Sequence, residues 1–439
     1  MNGLLTEDFP LRDTGCSTGV DAANDPIHRW YVIKEAFSPR LVSHAIREIG
    51  VGSQETVLDP FCGSGTVPLA VSQNGISSVG LEVNPFLRFV SQAKLRRPSI
   101  DSLQKGFERA VSGIRENQRS PLEGYSTFCG AGKSVKWLFN RSVLRGFEGA
   151  WRASARMGPE VRDVIRMTLI GAAMDSCNAF VDGKCLRYKK NWRSLRYGRQ
   201  SLLRSFQERV SQVREDLGHE GKQHPGVRVR QGDCRTDFRR LFRRNFKLCI
   251  TSPPYLNSFD YSDVYRPQLF LGKFVRSNSE LRKIRLRTVR SHVQVDWPRP
   301  TLSDFGALYH RSILELEGRS EHLWNPKIPV MVQAYFEDMK RVLEQLRTRA
   351  QDDAELWIVV STSAYGGVEI PVDLIIGDIA SRADWYLKDV SILRYLRTSG
   401  QHWNRYGNDG CTPPRLRESV VRLTASRPRR RRRRRSRRQ

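Results

Sequence analysis

Residues 250–261, ITSPPYLNSFDY, place two adjacent prolines and an aromatic residue directly after a strand-like run. Proline fixes φ and has no N–H donor, so Pro253 and Pro254 present nearby carbonyls rigidly without competing donors. The Ser252 hydroxyl and the Pro253 carbonyl can then accept the two hydrogens of an amino group, and Tyr255 offers a face for stacking a planar ring. These are the requirements for methylating an aromatic amine. A base within a duplex would first have to be flipped out.

A second candidate site is the glycine-containing loop of ETVLDPFCGSGTVPLAVSQNG, residues 55–75. Gly63 and Gly65 follow a predicted strand and precede a predicted helix, where they allow a tight turn and a close approach of a ligand. About 17 residues after Gly65, Glu82 ends the next predicted strand, and a carboxylate there can accept both hydroxyls of a ribose. The loop alone is equally compatible with an ordinary turn. It lacks the full GxGxxG spacing, which favours a mononucleoside over a dinucleotide.

Asp233 ends a third predicted strand, VRVRQGD, residues 227–233. A carboxylate in this place can accept the exocyclic amino group of an adenine. It can equally serve as the N-cap of a following helix, since aspartate is a preferred capping residue. The sequence leaves both roles open.

The elements that must position these residues alternate between helices and strands. SPRLVSHAIREIG (38–50) predicts a helix that Ser38 caps, and residues 55–84 predict the start of a βαβ unit. The pattern resumes at VRVRQGD, FKLCITS and LWIVVSTS, and it closes with DVSILRYLR and ESVVRLTA. We therefore predict an α/β fold.

Two stretches depart from this alternation. Residues 95–225 have helical spacing with many arginines and predict a largely helical insertion, and residues 256–350 are again helical and basic. Either stretch could take part in target recognition. The predicted divisions are an irregular leader at 1–27, a catalytic domain at 28–94 and 226–425, the insertion at 95–225, and a disordered arginine-rich tail at 426–439.

The charge of the chain indicates a polyanionic partner. Its 439 residues carry a net charge of +28, and ten arginines stand in the last 13 residues, RPRRRRRRRSRRQ. Without those ten, the net charge is still about +18. Nucleic acid is the expected partner, and its phosphates would make binding strongly salt-dependent.

Other classes of protein are disfavoured. No apolar run approaches the roughly 20 residues that span a bilayer, and the start, MNGLLTEDFPLRDTG, lacks a signal segment. The eight cysteines show no CxxC pair and no quartet with histidines, which predicts reduced thiols and no metal site. We therefore expect a cytoplasmic protein without a membrane anchor.

Taken together, HRWYVIKEAFSPRLV, DPFCGSGT, GLEVNP, QGD and TSPPY resemble the S-adenosylmethionine-dependent amino-methyltransferases of DNA, which make N4-methylcytosine or N6-methyladenine. The resemblance implies a Rossmann-like seven-stranded methyltransferase sheet with helices on both faces and ESVVRLTA as an antiparallel last strand. It also implies S-adenosylmethionine as the cofactor and double-stranded DNA as the partner. Such enzymes often act in restriction–modification or other phage-defence systems, so a cognate nuclease is a further expected partner.

The same resemblance assigns residues to two roles. The implied cofactor-binding residues are Asp59, Phe61, Gly63, Gly65, Glu82 for the ribose, Asp233 for the adenine, and Lys34, Phe37 and Ser38 beside the methionine part. The implied catalytic residues are Ser252, Pro253, Pro254 and Tyr255.

The implied substrate is less closely defined. The first catalytic position is Ser252 rather than aspartate or asparagine, which favours cytosine N4 over adenine N6 in this family. Enzymes that methylate amino groups of structured RNA share the fold and a proline-proline-aromatic site. A non-enzymatic DNA-binding protein on an inactive scaffold is an alternative of another class. A nicotinamide oxidoreductase would leave Ser252 to Tyr255 without a role.

Basic residues for target recognition are predicted in two segments, DGKCLRYKKNWRSLRYGRQ (182–200) and IRLRTVRSHVQ (284–294). Such side chains can contact phosphates, and arginine can read guanine edges in the major groove. A solvated basic loop is the alternative for the first segment. The candidates are Lys184, Arg187, Lys189, Lys190, Arg193, Arg196, Arg287 and Arg290. We expect His28 and His292 to be structural, and Asp260 and Tyr261 are further candidates for the base pocket.

Overall fold

A computed structural model describes residues 5–129, 136–182, 185–219, 226–396 and 414–427. In chain order, the strands are β1 (Leu5–Thr6), β2 (Thr56–Asp59), β3 (Ser77–Glu82), β4 (Ala179–Asp182), β5 (Cys185–Tyr188), β6 (Val227–Gln231), β7 (Phe246–Thr251), β8 (Ala350–Ser361), β9 (Ser363–Tyr365), β10 (Val368–Ile370), β11 (Tyr386–Tyr395) and β12 (Arg417–Thr424). The helices are α1 (Pro39–Ile49), α2 (Thr66–Gln73), α3 (Pro85–Lys94), α4 (Ile100–Arg115), α5 (Arg141–Ala153), α6 (Pro159–Asp175), α7 (Arg199–His219), α8 (Phe238–Leu241), α9 (Tyr261–Val264), α10 (Arg266–Leu271), α11 (Asn278–Arg285), α12 (Ala307–Gly318), α13 (Ile328–Arg347) and α14 (Val372–Ser381).

A mixed sheet forms the centre of the fold, in the order β1-β11-β12-β8-β7-β2-β3-β6. Five adjacent strands, β8, β7, β2, β3 and β6, run parallel to one another. Strand β12 lies antiparallel to both β8 and β11. Seven strands in this order, with ESVVRLTA antiparallel, confirm the predicted Rossmann-like methyltransferase sheet. The two-residue β1 adds an eighth strand, parallel to β11 at the edge.

Helices cover both faces of the sheet, and this explains why its central strands are almost continuously apolar. Neighbouring residues of β2 point to opposite faces. Val57 packs in one core with Leu41 of α1 and Val71 of α2. Leu58 packs in another core, which includes Tyr335 of α13 and Ile375 of α14.

The helix α1 begins and ends as its sequence predicts. Ser38 is extended, and its side chain accepts a hydrogen bond from the Arg40 N–H at 3.2 Å. Pro39 occupies the first helical position, where no N–H is needed. Gly50 ends the helix in the left-handed region, with φ of 70°.

The insertion between α3 and β6 is a bundle of α4 to α7 with the hairpin β4–β5. Its apolar residues, among them Phe147 and Phe206, form one continuous core with Phe86 of α3. Helices α4 and α5 approach so closely at Gly113 and Gly149 that a Cβ on Gly149 would lie 1.9 Å from the Gly113 carbonyl oxygen. The predicted helical character of the insertion is therefore seen in the structure.

The described part of the predicted irregular leader, residues 5–27, is mostly irregular but packs into the molecule. Beyond contributing β1, it buries Phe9 and Cys16 in the core beneath α1. The buried Asp216 of α7 accepts hydrogen bonds from the Ile27 N–H at 2.7 Å and from Trp30 Nε1 at 2.9 Å. These contacts tie the segment around residues 27–30 to the insertion. Within the described residues, no helix has the length and apolar character needed to cross a membrane.

Candidate active site

The candidate site is a cavity of about 380 Å³ at the carboxyl ends of the parallel strands. It lies where the strand order reverses between β2 and β7, the usual ligand position in open α/β sheets. Ten of the thirteen predicted cofactor-binding and catalytic residues line it. They are Lys34, Phe37, Asp59, Phe61, Gly63, Glu82, Asp233, Ser252, Pro254 and Tyr255.

The glycine loop is shaped by its left-handed residues. Gly63 and Gly65 have φ of 50° and 87°, values that L side chains rarely adopt. A Cβ on Gly65 would lie 2.2 Å from Ser91 Oγ of α3, so only glycine fits this turn. Gly65 therefore supports the loop from behind, while Gly63 lies at the cavity.

Asp59 connects the glycine loop to β7, the strand that precedes Ser252. One of its carboxylate oxygens accepts the Thr251 hydroxyl at 2.6 Å and the Phe61 N–H at 3.1 Å. Thr251 is the last residue of β7 and directly precedes Ser252. Burial raises the pKa of Asp59 to about 7. This single side chain thus fixes the distance between the two candidate motifs.

Glu82 is held by backbone donors on both carboxylate oxygens. The Gly63 N–H donates to one oxygen at 2.8 Å, and the Asn84 N–H donates to the other at 2.7 Å. The side chain is only 8% exposed, and burial raises its pKa to about 7. Each oxygen retains a lone pair that could accept a ligand hydroxyl.

Asp233 is buried beside an arginine. Its carboxylate pairs with Arg235 Nη2 at 2.7 Å, and Arg235 Nη1 in turn pairs with Asp338 at 2.6 Å. The carboxylate also accepts the Arg235 N–H at 2.9 Å, which makes a local turn rather than the cap of α8. Arg235 Nε donates to the same carboxylate as well, at 3.0 Å. A carboxylate offers about four acceptor positions, so these donors leave about one for an amino group from the cavity.

The tetrapeptide follows β7 with Ser252, Pro254 and Tyr255 at the cavity and Pro253 buried behind them. The Tyr255 hydroxyl donates to Glu418 Oε1 at 2.6 Å. Burial first, and then the Glu418 charge, raise the pKa of Tyr255 well above its ordinary value. Tyr255 therefore remains a neutral phenol with its ring fixed at both ends.

Glu418 and Arg394 are residues of the site that the sequence did not single out. Both line the cavity, and Arg394 Nε lies 2.7 Å from Glu418 Oε2. Glu418 stands at the start of ESVVRLTA, which reads only as a strand. No local spacing links it to Tyr255, 163 residues earlier.

The N-terminal candidates divide into two roles. Lys34 and Phe37 line the cavity, as the resemblance implies. Ser38 lies outside the cavity lining, because its hydroxyl donates to Asp21 Oδ2 at 2.8 Å while capping α1. Its placement supports the helix beside the cavity, not a contact with a ligand.

The basic segment 182–200 presents a row of exposed cations next to the site. Its exposed members are Arg187, Lys190, Arg193 and Arg196. Lys189 is half-buried, with Nζ 3.1 Å from the Tyr197 hydroxyl, and Lys184 lies outside the described residues. The strand β5 of this segment contacts α9, whose first residue Tyr261 lines the cavity.

The two candidates of segment 284–294 have different surroundings. Arg287 lines the cavity, half exposed, and donates to Asp237 at 2.7 Å. Arg290 is only 6% exposed and binds Asp338 at 2.7 Å and Glu337 at 2.5 Å. The prediction that Arg290 contacts nucleic acid is therefore wrong, because its guanidinium is already paired inside the protein.

Replacing Arg290 with alanine should destabilise the fold by about 3 kcal/mol, because two buried carboxylates, Asp338 and Glu337, each lose one of their cation partners. Urea denaturation, followed by circular dichroism, measures this loss. The control is Arg287→Ala, whose half-exposed pair with Asp237 should contribute about 1 kcal/mol or less. An Arg290→Ala protein with unchanged stability but weakened DNA binding would reinstate the original assignment.

Four further residues named from the sequence also have defined places. Tyr261 lines the cavity with its ring 4.3 Å from that of Phe259. Asp260 instead caps α9 and pairs with Arg285 at 2.7 Å. His28 and His292 are buried outside the cavity lining, and burial lowers the pKa of both, to about 3 for His28.

Comparison with solved structures returns methyltransferases at low similarity. TrmN from Thermus thermophilus is 9% identical with a TM-score of 0.28, and the match covers 90% of this chain and 49% of that one. The rRNA methyltransferase aviRa from Streptomyces viridochromogenes is 13% identical with a TM-score of 0.30, over 89% and 86% of the two chains. Likeness at this level decides nothing about the substrate.

Comparison with characterised sequences is more informative. No protein-family model matches the chain. The Type II methyltransferase M.AvaI of a Nostoc species is 27% identical over 411 residues, covering 84% of this chain and 81% of the relative. M.BsoBI of Geobacillus stearothermophilus, also a Type II methyltransferase, is 24% identical over 450 residues, covering 91% and 85%.

A shorter match reaches a third relative of the same kind. M.MjaII of Methanocaldococcus jannaschii, a Type II methyltransferase, is 34% identical over 80 residues, or 18% of this chain. Relatives that are methyltransferases imply S-adenosylmethionine as the methyl donor. The chain is thus a homologue of the Type II methyltransferases, and the family resemblance predicted from its motifs is confirmed.

Proposed function

We propose that the protein is a site-specific DNA methyltransferase. It transfers a methyl group from S-adenosylmethionine to the exocyclic amino group of a flipped base, with cytosine N4 as the favoured acceptor. The observation that carries this proposal is one cavity that brings Gly63 and Glu82 together with Ser252 and Tyr255. The kinship with Type II methyltransferases supports DNA as the substrate.

The cavity residues fit the cofactor. Glu82 is a buried acceptor beside Gly63, whose backbone a ligand can approach because a Cβ there would meet no atom within 4 Å. Asp233 provides a second buried acceptor, which follows the neighbouring strand β6. We assign Glu82 to the ribose hydroxyls and Asp233 to the adenine amino group. When bound, S-adenosylmethionine supplies an electrophilic methyl group.

The tetrapeptide prepares the acceptor base. Ser252 Oγ and the Pro253 carbonyl accept the hydrogens of the target amino group, and the Tyr255 ring stacks on the base. These hydrogen bonds draw the amino nitrogen toward tetrahedral geometry, so that its lone pair becomes available. Much of the rate enhancement then comes from holding the nitrogen in line with the methyl group. No strong base is needed, because the amine becomes acidic once it is methylated.

The test is mass spectrometry of nucleosides after incubation with labelled cofactor and either DNA or RNA of matched sequence. Labelled N4-methylcytosine from DNA is the expected product. N6-methyladenine would retain the enzyme class and overturn the preference drawn from Ser252. Label in RNA alone would make the protein an RNA amino-methyltransferase, and binding to DNA without any transfer would indicate an inactive scaffold.

Removing Arg193 and Arg196 together, by alanine substitution, should weaken DNA binding and its salt dependence. Each lost phosphate contact lowers the slope of log K against log salt concentration by about 0.9. Binding titrations with labelled duplex at several salt concentrations measure this slope. The matched control is the double variant Arg243→Ala with Arg244→Ala, which also removes two exposed charges. These residues lie just before β7, at the amino ends of the parallel strands and so away from the cavity. Equal slopes for both double variants would exclude segment 182–200 as a DNA contact.

We also propose a restriction or defence nuclease as a functional partner, in keeping with the Type II designation of the relatives. A methyl group on the recognition sequence protects DNA from such a nuclease. DNA methylated by this protein should therefore resist the partner nuclease, while unmodified DNA of the same sequence is cleaved. Equal cleavage of both would exclude the pairing.

A further inference from the structure

We infer that Glu418 is a positioning residue for the catalytic Tyr255, an inference that rests on the proposed function. Glu418 does not need to touch the base or the cofactor for this role. It acts through the hydrogen bond of 2.6 Å that its carboxylate accepts from the Tyr255 hydroxyl. The bond joins the last strand of the sheet to the catalytic loop.

Tyr255 is held at two points. At the backbone end, Pro253 and Pro254 fix the direction in which the side chain leaves the loop. The side chain still has two rotatable bonds, χ1 and χ2. Anchoring the hydroxyl, the atom farthest from the backbone, fixes both, so the stacking face has one orientation before a base arrives.

Glu418 is itself firmly placed. Arg394 stands directly opposite it in the β11–β12 pair and binds its second oxygen at 2.7 Å. On the other face of β12, the adjacent Arg417 binds Asp373 of α14 through two nitrogens, at 2.8 and 2.9 Å. The strand therefore cannot rotate at this position, and the carboxylate presents Oε1 to Tyr255 in a fixed direction.

The burial of Glu418 also points to function. Its side chain is 4% exposed and has one cation partner, although burying a carboxylate is unfavourable. A second acid–arginine pair joins β11 and β12, Asp389 with Arg422, and its acid is 20% exposed. Arg422 also pairs with Glu48 and lies over the ring of Trp357, away from the cavity lining. Only the Glu418 pair lies at the cavity. Of the two pairs, the one at the cavity therefore has the more deeply buried carboxylate, Glu418.

Losing this anchor should affect the chemical step more than the binding of the cofactor. A Tyr255 ring free to rotate stacks the base in several orientations, and the amino nitrogen leaves its line with the methyl group. Small misplacements of this kind lower rates by as much as about 10²-fold. The ribose contact of Glu82 lies on another strand and is unchanged.

A double-mutant cycle tests the inference. Glu418→Ala should lower kcat about tenfold or more in the wild-type background, in line with the strength of a hydrogen bond to a charged group. In the Tyr255→Phe background, where the hydroxyl is already absent, Glu418→Ala should change kcat less than about twofold. Glu418→Gln retains an oxygen acceptor and should recover part of the lost rate. The KM for S-adenosylmethionine should stay within about twofold throughout.

The matched control is Glu369→Ala. Glu369 lies on β10 and pairs with Arg417 at 3.3 Å. Arg417 directly precedes Glu418 in β12, and its side chain lies on the opposite face of that strand. Removing the Glu369 carboxylate disturbs the same strand without touching Tyr255, so kcat should not change. Equal losses of kcat for Glu418→Ala in both backgrounds, or no loss in either, would overturn the positioning role.

A second readout does not depend on activity. In protein labelled with ¹³C at tyrosine Cζ, the resonance absent from Tyr255→Phe belongs to Tyr255. Its ionisation should move to lower pH in Glu418→Ala, because the carboxylate charge no longer holds the proton. If the pH at which Tyr255 ionises were the same in Glu418→Ala as in the wild-type protein, the contact itself would be overturned. If the wild-type protein methylates no nucleic acid, the proposed function fails, and this titration still decides the contact.

Discussion

Replacing Tyr255 with alanine should lower kcat for methyl transfer to DNA by about 10²-fold while leaving the affinity for S-adenosylhomocysteine within about twofold. Stacking of a base on an aromatic ring contributes about 1–3 kcal/mol, which corresponds to a factor of about 5 to 150. In the proposed mechanism, the ring also sets the orientation of the amino group next to Ser252. Single-turnover kinetics with an excess of enzyme measure the chemical step, and isothermal titration measures cofactor affinity.

Tyr255→Phe is the graded control for this prediction. It retains the stacking face and loses only the hydrogen bond to Glu418, so its rate should fall between those of the wild-type protein and Tyr255→Ala. Ser252→Ala, which retains the ring but loses a hydroxyl acceptor, should also lower kcat. A Tyr255→Ala protein that methylates DNA at the wild-type rate would exclude stacking on this residue.

The parts of the site that could be predicted from the sequence are those set by local rules. A glycine turn after one strand, an acid at the end of the next and a proline pair after another each have a short signature. Parallel strands align their carboxyl ends at one edge, so these signatures had to meet there. The structure places Gly63, Glu82, Asp233 and Ser252 around one cavity for this reason.

The parts that could not be predicted depend on contacts between distant segments. Arg290 resembles any exposed arginine in a basic stretch until Asp338 of α13 is placed beside it, 48 residues later. Glu418 is an ordinary strand residue until β12 inserts between β8 and β11 and brings it to Tyr255. Leu5–Thr6 is too short for a strand signal and is recruited by the edge of β11. In each case the partner, not the residue itself, determines the role.

Replacing Glu82 with glutamine should lower the affinity for S-adenosylmethionine by about 10²-fold. Two hydrogen bonds from ribose hydroxyls to a buried carboxylate are charge-assisted, and a neutral amide replaces one acceptor with a donor. Isothermal titration with S-adenosylhomocysteine gives the affinity. The matched control is Glu55→Gln, since Glu55 also accepts a glycine N–H, from Gly52 at 2.6 Å, but lies before β2 at the opposite edge of the sheet. An unchanged affinity for Glu82→Gln would remove the ribose assignment.

The pH dependence of cofactor binding follows from the same carboxylate. Burial raises the pKa of Glu82 from its ordinary value of 4.5 to about 7, so the free protein loses the charged form as the pH falls below 7. Affinity for the cofactor should therefore fall between pH 8 and pH 6, and Glu82→Gln should show a weaker dependence, with Asp59 as the remaining buried carboxyl that titrates at about 7.

Stability of the free protein should change in the opposite direction. Between pH 4.5 and about 7, Glu82 is protonated in the folded protein but ionised in the unfolded chain. The stability that this group contributes to folding is therefore fully present below pH 4.5 and is lost as the pH rises to about 7. Thermal unfolding of the wild-type protein and of Glu82→Gln at pH 6 and pH 8, beside titrations at the same pH values, isolates the contribution of Glu82. The comparison is needed because Asp59 adds to this trend, while burial lowers the pKa of Lys94 to about 7 and opposes it. Opposite signs are expected because the charge that binds the ribose is the charge that is unfavourable to bury. If the difference in stability between the wild-type protein and Glu82→Gln instead rose with pH together with affinity, Glu82 would not be the group that links them.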